Sequence, residues 1–148
     1  MHIKKLLVLL ALSLLPIAAF SGYVQPAPVF IDVVPGVSGY AYGDLVSARN
    51  SDNEFEFIGC RINTYPDGLG GTFTNGLCQV GLEETVSYRC FTTNPVLLEA
   101  INGLSDSSWV LFRWVDDGTG TLTCTGVSKS TQSFYLQNIS DSKKKGKK

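Results

Sequence analysis

Four cysteines, Cys60, Cys78, Cys90 and Cys124, constrain this chain more than any other feature. Their spacings are 18, 12 and 34 residues with no C-x-x-C among them, a pattern of staples rather than of metal or redox chemistry. Staples need an oxidising compartment, and residues 1–21 read as the signal peptide that reaches one. Lys4 and Lys5 make its positive end, Leu6 to Leu15 is apolar apart from Ser13, Pro16 breaks the run, and Ala18, Ala19 and Ser21 are the small residues of a cleavage region. Cleavage is expected after Ser21, with Ala19 the alternative. A membrane span needs about 20 apolar residues and this run is about half of that, so no transmembrane anchor is expected after cleavage. The expected location is secreted or periplasmic.

Residues 22–140 are expected to form a single exported, disulfide-stapled, β-rich domain, and 141–148 a disordered basic tail. The tail carries five lysines in its last six residues, which repel one another and cannot pack. It either contacts anionic surfaces or merely keeps the chain in solution. Residues 22–140 hold five basic residues against twelve acidic ones, a balance of −7. An acidic body argues against nucleic acid, whose electrostatic footprint is a basic face.

The apolar pattern is mostly that of strands. Val29–Val34 is a short β-rich run stopped by Pro35-Gly36, and 22–28, with two prolines, reads as a loose leader. Residues 36–43 read as a glycine-rich loop carrying Tyr40 and Tyr42, and Asp44–Arg49 as a helical turn. Strands are expected at Glu54–Cys60, continuing through Arg61–Tyr65, then at Thr72–Val80 and Thr85–Thr92. Asn94-Pro95 is a helix start, an N-cap followed by a proline whose missing donor costs nothing. Val96, Leu97, Ala100, Ile101 and Leu104 then fit one face of a helix over 95–103. Trp109–Val115 reads as a central strand covered on both sides, Thr121–Lys129 as its hairpin partner after the Asp116–Gly120 turn, and Ser133–Leu136 as a last strand.

The cysteines can be placed on these strands. A turn centred on Glu84 sets residues whose numbers sum to 168 opposite each other, so Cys78 faces Cys90. A turn centred on Leu69 does the same for sums of 138, so Cys78 also faces Cys60. Cys78 can bond only one of them. The tighter second turn favours Cys78–Cys90, leaving Cys60–Cys124, a closure worth about 4 kcal/mol in the chain-entropy model. The alternative is Cys60–Cys78 with Cys90–Cys124; Cys60–Cys90 with Cys78–Cys124 is the third arrangement.

The only histidine is His2, inside the leader. The mature chain therefore lacks the commonest general base, the commonest zinc ligand and every His-dependent catalytic triad. With paired cysteines it lacks a nucleophilic thiolate as well. Carboxylates at Asp52, Glu54, Glu56, Asp116 and Asp117 are candidates for a small glycan-active enzyme, but their spacing singles out no pair. The oxygen-rich stretches at 50–54 and 116–119 lack the D-x-[DN]-x-[DN]-G pattern of a calcium loop and read as turns. The glycine clusters at 36–39 and 68–71 are not phosphate loops. No catalytic residue, metal or cofactor is assigned. Among the aromatics, Trp109 and Trp114 read as core, while Tyr40 and Tyr42 are the candidate binding surface. Asn138-Ile-Ser140 is a glycosylation sequon, meaningful only in a eukaryotic secretory host.

Several pieces together resemble a loosely defined group of small exported bacterial four-cysteine proteins of unassigned function. They are Gly39-Tyr-Ala-Tyr-Gly43 with Ala48-Arg49, Phe57-Ile-Gly-Cys60, the hairpin flanked by Cys78 and Cys90, Thr93-Asn-Pro95, Ser107–Trp114 and Cys124. The likeness covers roughly 37–130, implies export and a β-rich fold, and carries no site. The sequence thus predicts a mostly β domain, an antiparallel sheet or β-sandwich with one packed α-helix and two disulfides. The expected function is an exported, non-catalytic binding or envelope-associated protein with a protein or glycan partner. The alternative is an inhibitor of an extracellular hydrolase, a lysozyme or protease, working through a protruding loop at 36–43 or 66–71.

Overall fold

The computed structural model describes residues 23–136; the leader at 1–21, the sequon at Asn138 and the lysine tail lie outside them. Seven strands form one sheet: β1 (Phe30–Val34), β2 (Ser38–Asp44), β3 (Phe57–Pro66), β4 (Thr72–Glu83), β5 (Val86–Thr92), β6 (Trp109–Asp116) and β7 (Leu122–Ser130). Their spatial order is β1-β2-β6-β7-β5-β4-β3. Two helices accompany them, a short α1 (Leu45–Arg49) after β2 and α2 (Pro95–Asn102) between β5 and β6. The domain is mostly β with one main helix and two disulfides. Every neighbouring pair is antiparallel except β5–β7, which is parallel.

The core lies on one face of the sheet. Ala41, Ile58, Cys78, Val80, Cys90, Val110, Phe112, Trp114 and Cys124 line it, and Ile101 of α2 and Ala48 of α1 close over it. Asn94 caps α2 by accepting from the Val96 N–H at 2.9 Å, as its sequence position implies. Val96 itself faces solvent, so the helix's apolar face is narrower than its spacing implied.

The segment expected to be a glycine-rich loop at 36–43 is largely strand β2. Its glycines answer to packing, not to turning: a Cβ on Gly39 would overlap the Trp114 indole, and one on Gly43 would press on Val29. The ladder survives because glycine in a strand interior allows a neighbour to come close. The expected loose leader at 22–28, described from Tyr23 on, is not loose either. The Gln25 N–H donates to Phe134 O at 2.8 Å, the Asp44 N–H to Ala27 O at 2.9 Å, and the Ala27 N–H to Asp44 Oδ2 at 2.7 Å. Ser133–Leu136, expected as a strand, instead holds a single 3-10 turn at Ser133–Tyr135. There Phe134 meets Tyr23 edge-on at 6.2 Å.

The disulfides are Cys60–Cys78 and Cys90–Cys124, which corrects the favoured Cys78–Cys90 with Cys60–Cys124. Both hairpin registers are as expected, with Cys78 facing Cys60 on one side and Cys90 on the other. A residue in a central antiparallel strand makes a hydrogen-bonded pair with one neighbour, Cα atoms about 5.5 Å apart. With the other it makes a closer, non-hydrogen-bonded pair at about 4.5 Å. The Cα atoms of Cys60 and Cys78 are 4.0 Å apart, so theirs is the close pair. Cys60 and Cys124 sit on strands separated by β4 and β5, roughly 14 Å at three strand spacings and beyond a disulfide's reach. Strand β7, returning from β6 to lie against β5, brings Cys124 to 5.0 Å from Cys90.

Candidate functional site: an aromatic row on the outer sheet face

Side chains alternate along β2, so Ala41 enters the core while Tyr40 and Tyr42 stand on the opposite, outer face. The registers supply their neighbours. Tyr42 lies between Phe30 of β1 and Leu111 of β6, and Tyr40 between Asp32 of β1 and Arg113 of β6. Phe30 and Tyr42 stack with ring centroids 5.1 Å apart. Trp109 follows at 6.1 Å from Tyr42, and Tyr40 lies 6.1 Å from Phe30. The result is a row Phe30–Tyr42–Trp109 across three strands, with Tyr40 beside it. Phe30 is exposed and the other three are half-buried.

Charge is placed on both sides of Tyr40. The Arg113 guanidinium carbon lies 5.6 Å from its ring centroid, within the range of a cation–π contact. Loss of solvent first, and then the Asp32 carboxylate, push the Tyr40 hydroxyl above its ordinary value, so it remains a neutral donor at physiological pH. A shallow groove of about 300 Å³ runs along this spot past Asp32, Val34, Tyr40, Arg113 and Val115.

Tyr40 and Tyr42 are therefore together on one surface, borne by a strand and not by a loop. Trp109 and Trp114, both read as core, are parted by the same alternation: Trp114 is 2% exposed and Trp109 joins the outer row. Sequence reasoning missed Phe30, Trp109 and Arg113 as members of this surface. The usable signal was the alternation in Trp109–Val115, whose odd-numbered positions end up facing outward.

Three of the five candidate carboxylates have other work. Glu56 accepts from the Val29 N–H at 2.9 Å and from the Ser51 hydroxyl, fastening the start of β1 to the start of β3. It borders a hollow of about 310 Å³ that Arg49 and Asp106 also line. Asp116 Oδ1 accepts from the Gly118 N–H at 2.9 Å and Asp117 Oδ1 from the Thr119 N–H at 2.8 Å, which is turn chemistry. Among the described residues no three His, Cys, Asp or Glu side chains gather into a group able to hold a metal ion, and no helix is long and apolar enough to cross a membrane. Comparison of the chain with protein-family models, with curated proteins and with solved structures finds no match.

Proposed function

We propose that this chain is an exported, non-catalytic recognition module that holds a glycan against its outer aromatic row. The observation that carries the reading is the row itself: Phe30, Tyr42 and Trp109 in contact across three hydrogen-bonded strands. Large rings on a surface are enriched where something docks. Rings held by strands lose little freedom on binding, which leaves more of the contact energy as affinity. Sugar rings offer apolar C–H faces to such side chains, and their hydroxyls need donors and acceptors close by. Arg113 supplies the first and Asp32 the second, on either side of Tyr40. The leader read at residues 1–21 and the two disulfides support a glycan met outside the cytosol, among the polymers of a cell envelope.

Tryptophan fluorescence tests this directly, because Trp109 lies in the row and Trp114 in the core. Titration with soluble oligosaccharide fragments of envelope polymers should change the emission of the wild type and not that of Trp109→Phe. Tyr42→Ala should weaken binding at least tenfold in a variant that still folds, its thermal midpoint lowered only by the loss of its cross-strand ring contacts. An unchanged spectrum across peptidoglycan, chitin and acidic-polysaccharide fragments overturns the proposal.

A further inference from the structure

A second feature points to a different partner. Strand β5 pairs with β4 only from Gly76 onward, whereas β3 and β4 continue together through Asn63↔Asn75, Thr64↔Thr74, Tyr65↔Phe73 and Pro66↔Thr72. Four rungs, roughly 13 Å at the usual rise, thus run past the body of the sheet as an arm. We propose that this arm inserts into the substrate cleft of an extracellular hydrolase, a protease or a lysozyme, with Leu69 as its anchor.

Two-stranded ribbons are marginal by themselves, and this one is reinforced along its length. The Asn63 and Asn75 side chains hydrogen-bond at 3.1 Å, as do the Thr64 and Thr74 hydroxyls. The Cys60–Cys78 disulfide pins the register at the root of the arm. At the tip, Asp67 Oδ1 accepts from the Leu69 N–H at 2.8 Å and the Gly71 N–H at 2.9 Å. Gly68 and Gly70 take φ of +79° and +93°, left-handed geometry that glycine adopts without cost. Between them Leu69 is 93% exposed. It touches nothing that would explain a leucine there, yet it is presented on a loop already fixed in shape.

The chemistry of the arm selects the partner. Residues 63–75 hold one carboxylate, Asp67, and no basic residue, and that carboxylate is turned into its own loop. Tyr65 and Phe73, 52% and 49% exposed, flank the anchor with further apolar surface. A narrow, convex, nearly neutral tip matches a concave apolar cleft lined with a few polar groups, as substrate sites are, and its prior order lowers the cost of entering one. Lipid is the poorer match. Insertion there would carry a carboxylate two residues from the anchor into hydrocarbon.

The test is inhibition of a panel of extracellular serine, cysteine and metalloproteases and lysozymes by the full chain. At least one activity should fall at micromolar protein. Leu69→Asp should weaken that inhibition at least tenfold, and since Leu69 packs against nothing the variant should melt with the wild type. Tyr42→Ala should inhibit as the wild type does, which separates this proposal from the glycan surface. No inhibition across the panel, equal inhibition by Leu69→Asp, or Leu69-dependent flotation with phospholipid vesicles in place of inhibition overturns it.

Discussion

Single residues carry much of the geometry at both surfaces. Gly39 leaves the space that the Trp114 indole fills, and without it β2 could not lie flat against β6 with Tyr40 and Tyr42 outward. Asp67 does a comparable job at the arm tip with its charge. Hydrogen bonds from the backbone of Leu69, and then of Gly71, hold its carboxyl below the ordinary value of 3.8. A depressed carboxylate steadies the closed loop at every pH above the unfolded value, and that contribution disappears as the pH falls through the lower, folded value. Loop order should therefore persist through pH 4 and be lost only in stronger acid. The amide resonances of Leu69 and Gly71 should titrate together with a midpoint below 3.8, and in Asp67→Asn both amides should lose that titration. A midpoint at or above the ordinary carboxylate range would show that the two hydrogen bonds do not form in solution.

At the scale of elements, the hairpins on either side of β4 were legible, whereas β2 within its glycine-rich segment and the long-range pairing were not. The turns at 66–71 and 84–85 are short and carry Pro, Gly and charged residues between alternating runs, so counting outward from them yields the registers found. Nothing local tells β7 to lie against β5. That placement depends on α2 and β6 carrying the chain past an open position that β7 then fills, and on only two register pairs, Cys90↔Leu122 and Phe91↔Thr123. The same gap explains why Trp109–Val115 read as covered on both faces, since the helices close over one face only. The pairing has a direct check. Arg61, Arg89, Arg113 and Lys129 set each cysteine in its own tryptic peptide. A non-reduced digest should give 50–61 joined to 62–89 and 90–113 joined to 114–129. The chain-entropy model puts removal of the pair Cys60–Cys78, closing 18 residues, at about 3 kcal/mol, and of Cys90–Cys124, closing 34, at about 4 kcal/mol. Their consequences should differ in kind. Losing the first should raise hydrogen exchange in the arm, while losing the second should open the β5–β7 seam, where so few backbone pairs remain to hold it.

For the whole molecule, the question is how a sheet with two edges, β1 and β3, avoids offering either to another chain. Residues 23–29 answer part of it: Pro26 and Pro28, just ahead of β1, offer no N–H for another strand to pair with, and the segment binds both ends of the structure. Gln25 reaches Phe134 near the C-terminal end of the described chain, and the Val29 N–H reaches Glu56 at the entry to β3. The fastening point is Asp44, which is fully buried. Its Oδ2 accepts from the Ala27 N–H, and its Oδ1 accepts from the Ser47 N–H at 2.6 Å as the N-cap of α1. One carboxylate thus starts the helix that packs beside β3 and anchors the segment that leads into β1. Its role was half legible: an aspartate before a helical turn reads as a cap, but a contact 17 residues upstream does not announce itself. Asp44→Ala removes the cap, worth about 1 kcal/mol, and strands the Ala27 N–H in a part-buried site, at about 1–3 kcal/mol more. The combined loss, on the order of 2–4 kcal/mol, should lower the thermal midpoint by roughly 10 °C in a domain of this size. Asp44→Asn, which keeps an oxygen acceptor for one of the two N–H groups, should lose about half as much. Because the segment's other anchors do not involve the Asp44 side chain, its release should be local at first. Limited proteolysis of Asp44→Ala should cut within 23–29 well below the midpoint, whereas simultaneous loss of protection across all seven strands would mean that the segment is no clasp at all and that Asp44 stabilises only the core.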